Sequence, residues 1–168
     1  MSVHWNVGYI VQKRAEMSPD KPCLIFEDKP VTYKELNEGV NRAAHFLRKS
    51  GIRNGDRVSL VLLNSVEFLE IYLACAKLGA ILVPLNHRLV GRELEYQLND
   101  CGARMVVFHD AFVDNIDRIR SRLKAEADKF ICMASDSASG NDSELPGCPS
   151  WAGDYDELTL DQPVSESM

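Results

Sequence analysis

Apolar residues are spaced along this chain at two periods that alternate, one helical and one extended. Val7, Ile10, Val11 and Ala15 recur at helical spacing behind Asn6, a residue type that caps helices. This predicts a helix to about Met17, stopped by Ser18-Pro19-Asp20. Cys23–Glu27 and Pro30–Thr32 are short β runs separated by Asp28-Lys29, the pattern of a tight hairpin. Thr32-Tyr-Lys-Glu35 has capping-box spacing: the Thr32 hydroxyl can accept from the Glu35 N–H, and the Glu35 carboxylate can reach back to Thr32. The helix it opens lays Leu36, Val40, Ala43 and Leu47 along one face and ends at Gly51.

From Arg57 the alternation becomes regular. Strands are expected at Arg57–Leu63, Ala80–Leu85, Arg104–Phe108 and Lys129–Met133. Between them come helices opened by Asn64-Ser-Val-Glu67 and closed by Gly79, then Gly91–Cys101 and about Ala111–Leu123. The helix Val66–Leu78 is apolar nearly all round and is expected to be buried between other elements. Ala80–Leu85 is a continuous apolar run of the kind covered on both faces in parallel sheets. Strand–helix alternation of this kind requires right-handed crossovers. The fold class is therefore α/β: a Rossmann-like, largely parallel sheet with helices on both faces, plus a small N-terminal hairpin.

Charge divides the chain unevenly. Over its 168 residues the net charge is −6, which argues against nucleic acid as a partner because that binding rests on cations neutralising phosphates. Residues 134–168 hold no Lys or Arg and eight carboxylates, while residues 1–133 carry a net +2. With seven Ser, three Gly and three Pro, the 134–168 tail buries little apolar surface and is expected to be partly irregular, following a 1–133 α/β domain. Met1–Met17 has no basic stretch leading into an apolar run, and Ile71–Leu85 is broken by Lys77, Gly79 and Pro84, so neither a secretory signal nor a transmembrane segment is expected. Cys23, Cys75, Cys101, Cys132 and Cys148 are odd in number with no C-x-x-C spacing, which disfavours a disulfide framework and a zinc site. Small buried thiols in a reduced, cytoplasmic protein is the expectation.

Candidate chemistry is sparse. The sequence has no G-x-G-x-x-G, no Walker-type loop, no H-E-x-x-H and no G-x-S-x-G, so no residue is assigned a catalytic or metal-ligating role. His109-Asp110 reads as a loop rather than a dyad, because neighbours in sequence need not meet. The best place is Pro84-Leu85-Asn86-His87-Arg88-Leu89, expected at the carboxyl end of a central strand, where open α/β sheets bind ligands. Arg88 offers a rigid fork suited to phosphate, with donors from Asn86 and His87 beside it. The competing reading has Asn86 bonding its own loop and Arg88 paired with Glu93 or Glu95.

These residues resemble a known family, the adenylate-forming acyl-CoA synthetases of the AMP-binding superfamily. Val31-Thr-Tyr-Lys-Glu-Leu36 is similar to its first core motif, and Leu47-x-x-x-Gly51-x-x-x-Gly55-Asp-Arg-Val58 to the segment after it. Ala76-Lys-Leu-Gly-Ala-Ile-Leu-Val-Pro-Leu-Asn86 resembles the second core motif, and Glu93-Leu94 with Asp100-Cys-Gly-Ala-Arg104 continues in step. Asn-His-Arg-Leu after Pro-Leu leans toward the fatty-acyl branch. The resemblance implies an N-terminal subdomain of an enzyme that joins a carboxylic acid to coenzyme A through an acyl-adenylate, using ATP and Mg. It also implies that Arg88 contacts the CoA nucleotide phosphate. The family's phosphate loop would follow the acidic tail, but the sequence ends at Glu166-Ser-Met168. The expectation is thus a truncated piece with no cofactor of its own, catalytically silent alone and open to self-association through uncovered apolar surface. The alternative is a free-standing flavodoxin-like binding module without catalysis.

Overall fold

The computed structural model describes residues 6–124, 129–134 and 147–166. Part of the acidic tail, including Asp136, Asp142 and Glu144, lies outside the described residues. The chain forms two compact units: Met1–Gly55 with Asn64–Ile81 and Thr159–Met168, and Asp56–Leu63 with Leu82–Leu158.

In the first unit, Asn6 Oδ1 accepts from Tyr9 N at 3.0 Å and opens α1 (Val7–Met17). The hairpin follows as β1 (Pro22–Phe26) and β2 (Lys29–Thr32), antiparallel with Phe26 opposite Lys29. Its two-residue loop is Glu27-Asp28, one position before the expected Asp28-Lys29, and both residues have positive φ (48° and 63°), as a turn matched to strand twist demands. Thr32 caps α2 (Tyr33–Lys49) with the capping box complete: Thr32 Oγ1 accepts from Glu35 N at 3.2 Å, and Glu35 Oε2 accepts from Thr32 N at 2.8 Å. Thr32→Ala is expected to cost about 1 kcal/mol, because it leaves the Glu35 N–H without its cap acceptor. A thermal melt should then show a midpoint lower by roughly 2–4 °C.

Helix α3 (Val66–Leu78) starts one residue later than the Asn64–Glu67 spacing suggested, since Ser65 Oγ accepts from Phe68 N at 3.2 Å. It ends at Gly79 with φ 71°, where a Cβ would also meet Asn54 Nδ2. Contrary to the expectation of all-round burial, α3 hides Ile71, Leu73, Ala74 and Cys75 but leaves Leu69 and Tyr72 exposed.

A polar cluster closes this unit. The Lys77 ammonium donates to Asn37 Oδ1 (3.0 Å), Asn41 Oδ1 (2.6 Å) and Glu166 Oε2 (2.8 Å), which uses all three of its protons. Glu166 Oε1 accepts from Asn37 Nδ2 at 2.8 Å, and Asn41 Nδ2 donates to the Val164 carbonyl at 2.8 Å. Residues 164–166 are thereby strapped onto α2 by side chains from α2 and α3.

The second unit is built on β3 (Arg57–Val61), β4 (Ile81–Pro84), β5 (Met105–His109), β6 (Phe130–Met133) and β7 (Gly153–Asp154), in the order β4-β3-β5-β6-β7. β3 pairs parallel to β5, β5 to β6 and β6 to β7. Helices α4 (Arg92–Asp100) and α5 (Val113–Arg120) pack Leu94, Leu98, Ile116 and Ile119 against Val61, Val106, Phe108 and Cys132 on one face of the sheet. Val58, Leu60, Met105 and Val107, on the opposite face, are equally inaccessible. This is the α/β, parallel arrangement the alternation predicts.

Three details differ from the sequence reading. β4 is an edge strand, not a central one, and Ile81 is half exposed; an apolar run alone does not distinguish the two positions. α5 is shorter than expected, preceded by a 3-10 turn at Asp110–Phe112. Beyond Met133, Gly153–Asp154 pairs with Ile131–Cys132, and Asp154 Oδ1 accepts from Asp156 N (2.9 Å) and Glu157 N (3.1 Å) to start α6 (Tyr155–Leu160). Two residues of pairing are too few to register as a strand in the sequence pattern.

Candidate functional site

Strand order reverses between β3 and β5, since β4 leaves β3 to one side while β5, β6 and β7 extend to the other. Open α/β sheets present their ligand crevice outside the carboxyl ends of the strands at such a switch point. In the second unit that edge carries the segment after β4, with Asn86, His87 and Arg88, and the segment after β5, with His109, Asp110 and Phe112.

Phe112 neighbours both imidazoles, with ring centroids 5.8 Å from His87 and 6.3 Å from His109. His109 Nδ1 is 3.0 Å from Asp110 Oδ1, and the Asp110 side chain is buried. Here the structure corrects the loop reading of His109-Asp110. Successive side chains alternate faces along a strand, but His109 ends β5 and Asp110 begins the 3-10 turn, so the backbone bends and the two groups meet.

Arg88 is exposed, and among the described residues its guanidinium has no ion-pair partner. The suggested pairing with Glu95 is not formed, because Glu95 Oε2 takes Arg122 Nε at 2.9 Å. The other half of that reading holds: Asn86 Oδ1 accepts from Arg88 N at 3.0 Å and shapes the loop. The outcome is a presented cation on a loop whose backbone is fixed by Asn86. No group of three or more His, Cys, Asp or Glu side chains able to hold a metal occurs among the described residues.

A larger groove, about 890 Å³, is lined by Arg92, Glu95, Tyr96, Asn99 and Arg122 among others. It runs along α4 from Arg92 to Asp100 and reaches the residues after α5. Asn99 and the Glu95–Arg122 pair occupy it structurally: Asn99 accepts from Lys124 N at 2.9 Å and donates to the Arg122 carbonyl at 3.2 Å.

Comparison with known proteins bears on the family and fold of the chain as a whole. The model of the AMP-binding enzyme family matches residues 11–165. The long-chain-fatty-acid–CoA ligase FadD13 of Mycobacterium tuberculosis is 38% identical over 119 residues, 70% of this chain and 24% of the relative. The fatty acid–acyl-carrier-protein ligase ScoC of Streptomyces coeruleorubidus is 30% identical over 152 residues, 90% of this chain and 28% of the relative. The chain thus spans about a quarter of the length of these curated relatives. Among solved structures, the anthranilate CoA ligase AuaEII in complex with anthranoyl-AMP superposes with a TM-score of 0.82 at 25% identity, over 99% of this chain and 30% of that one. The N-terminal domain of FACL13 from Mycobacterium tuberculosis gives 0.75 at 31% identity, over 97% and 37%. A match that runs through both units, from α1 to the segment strapped by Lys77, means that the chain belongs to the AMP-binding enzyme family, as an N-terminal portion related to acyl-CoA ligases.

Proposed function

We propose that this chain is the N-terminal part of an ATP-dependent acyl-CoA synthetase acting on a fatty acid. In that reaction the carboxylate displaces pyrophosphate from ATP to give an acyl-adenylate, and the thiol of CoA then displaces AMP. The observation that supports the reading is the family match over residues 11–165, together with relatives whose names specify fatty acid ligation.

Within the chain, the residues supply a scaffold and one ligand contact. Arg88 stands at the end of β4 with a guanidinium free of ion pairs among the described residues, and the Asn86 turn holds its backbone. A planar fork of this kind suits the CoA nucleotide phosphate. Magnesium is assigned no ligand here, because the described residues offer no cluster for it. The sequence contains no Gly-rich loop to cradle a triphosphate, so a polypeptide of these residues alone performs neither half-reaction. The flavodoxin-like strand order is equally compatible with a simple binding module; what supports a ligase over such a module is the family match and its motifs.

Calorimetric titration with CoA tests the assignment. Arg88→Ala is expected to weaken CoA binding roughly tenfold, while pantetheine, which lacks the nucleotide, binds both proteins equally. Unchanged CoA affinity in the variant, or no measurable CoA binding by the parent chain, would overturn the role of Arg88.

A further inference from the structure

The Lys77 cluster of the first unit has the donor pattern of a receptor for a planar anion. The side chains of Lys77, Asn37 and Asn41 are each more than nine-tenths buried. Helix α1 holds the Lys77 stem in place: Gly8 approaches so closely that a Cβ there would overlap Lys77 Cγ. Both Asn Oδ1 atoms accept from Lys77, which leaves both Nδ2 atoms as donors. Around the Glu166 carboxylate these donors divide between its two oxygens. Lys77 Nζ donates to Oε2 at 2.8 Å, while Asn37 Nδ2 (2.8 Å) and Asn41 Nδ2 (3.3 Å) donate to Oε1.

The segment that carries this carboxylate is held by little else. The Val164 carbonyl accepts from Asn41 Nδ2 at 2.8 Å and the Ser165 carbonyl from His45 Nε2 at 3.0 Å. Val164 and Ser165 are themselves exposed, and among the described residues 163–166 make no backbone–backbone hydrogen bond. Docking of 164–166 therefore rests mainly on the carboxylate. If Glu166 swings away, a buried ammonium and two amide donors lose their acceptors, which gives the vacated place an affinity for another carboxylate.

We propose that Lys77, Asn37 and Asn41 form a binding site for small free monocarboxylates of the acetate class, and that Glu166 is its displaceable internal occupant. A tethered carboxylate competes at an effective concentration in the millimolar range. Free acetate well above that range releases 164–166, so the docking of this segment responds to carboxylate level. Chloride does not replace it, because one sphere cannot offer two separate oxygens to the ammonium and the amides. A neutral amide fails for a different reason: its NH2 is set against groups that are all donors.

Glu166→Ala tests the site, since it removes Cγ and the carboxylate, the heavy atoms of one acetate. At pH 7 acetate is expected to raise the melting midpoint of this variant saturably, by roughly 2–4 °C at tenfold over half-saturation. Equal concentrations of sodium chloride or acetamide should leave it unchanged. Glu166→Gln, whose amide fills the space, should not respond to acetate. Displacement is read on the unmutated chain, where about 0.5 M acetate should speed cleavage after Glu166 by a glutamate-specific protease roughly threefold over equal chloride, normalised to a free peptide of residues 161–168. An acetate effect in Glu166→Ala no larger than that of chloride, or equally large in Glu166→Gln, would overturn the binding site. Unaccelerated cleavage of the parent chain would overturn Glu166 as a displaceable occupant, even if neither variant folds.

Discussion

Phe108→Ala is expected to lower the stability of the chain by about 3–5 kcal/mol, the range for removing a large aromatic side chain from a packed core. Phe108 is fully buried on β5, the middle strand of the sheet, and its ring stacks 5.5 Å from Trp151. Neighbours on both sides are strand residues, Val61 through the β3 register and Cys132 through the β6 register, and neither can move in to fill the space without breaking the ladder. Stacking adds to the loss, because an offset aromatic pair exceeds its burial by roughly 0.5–1.5 kcal/mol. Phe108→Leu keeps most of the volume and is expected to cost about half as much. Urea unfolding measures both. A Phe108→Ala midpoint within error of the parent would mean that β5 is not central to the packed sheet.

Lys77→Met is the second large effect, at about 2–3 kcal/mol. Removing one member of a buried ion pair leaves the other charge uncompensated; the figure is set at the low end because Glu166 is 34% exposed while Lys77 is only 6% exposed. The variant also strips a donor from the carbonyl oxygens of Asn37 and Asn41. Burial by itself pushes the Glu166 carboxyl up, but hydrogen bonds from Asn37, Lys77 and Asn41 together outweigh it and hold the group below the usual glutamate range. A carboxyl depressed in the folded state contributes stability that is present above the unfolded value, near pH 4.3, and is lost as pH falls through the lower folded value. The parent chain is therefore expected to lose an increment of stability below about pH 4 that is smaller in Lys77→Met, where only the Asn37 and Asn41 hydrogen bonds still hold the carboxylate. Parallel pH–stability curves for the two proteins would contradict the strap.

The helical and extended periods carried most of the architecture, because each element buries one face and announces it locally. The Thr32–Glu35 box and the alternation after Arg57 are legible for that reason. What stayed hidden depends on partners distant in sequence. Nothing near Lys77 indicates that Asn37, Asn41 and Glu166 converge on it across up to 89 positions. The edge position of β4 follows from which strand lies beside it, and an apolar run is silent on that. In the candidate site, Arg88 draws notice in the sequence because it follows a strand resembling a family motif, and its role toward CoA stands as a proposal. The His109–Asp110 contact and the approach of Phe112 to both imidazoles depend on a 3-10 turn that no residue spacing encodes.

The most direct test of the central proposal, that these residues form a supporting N-terminal part of a ligase and not its nucleotide-handling part, is calorimetric titration of the chain with Mg-ATP. No saturable heat is expected, with or without a fatty acid present. Tight, magnesium-dependent uptake of the nucleotide by this polypeptide alone would contradict the account.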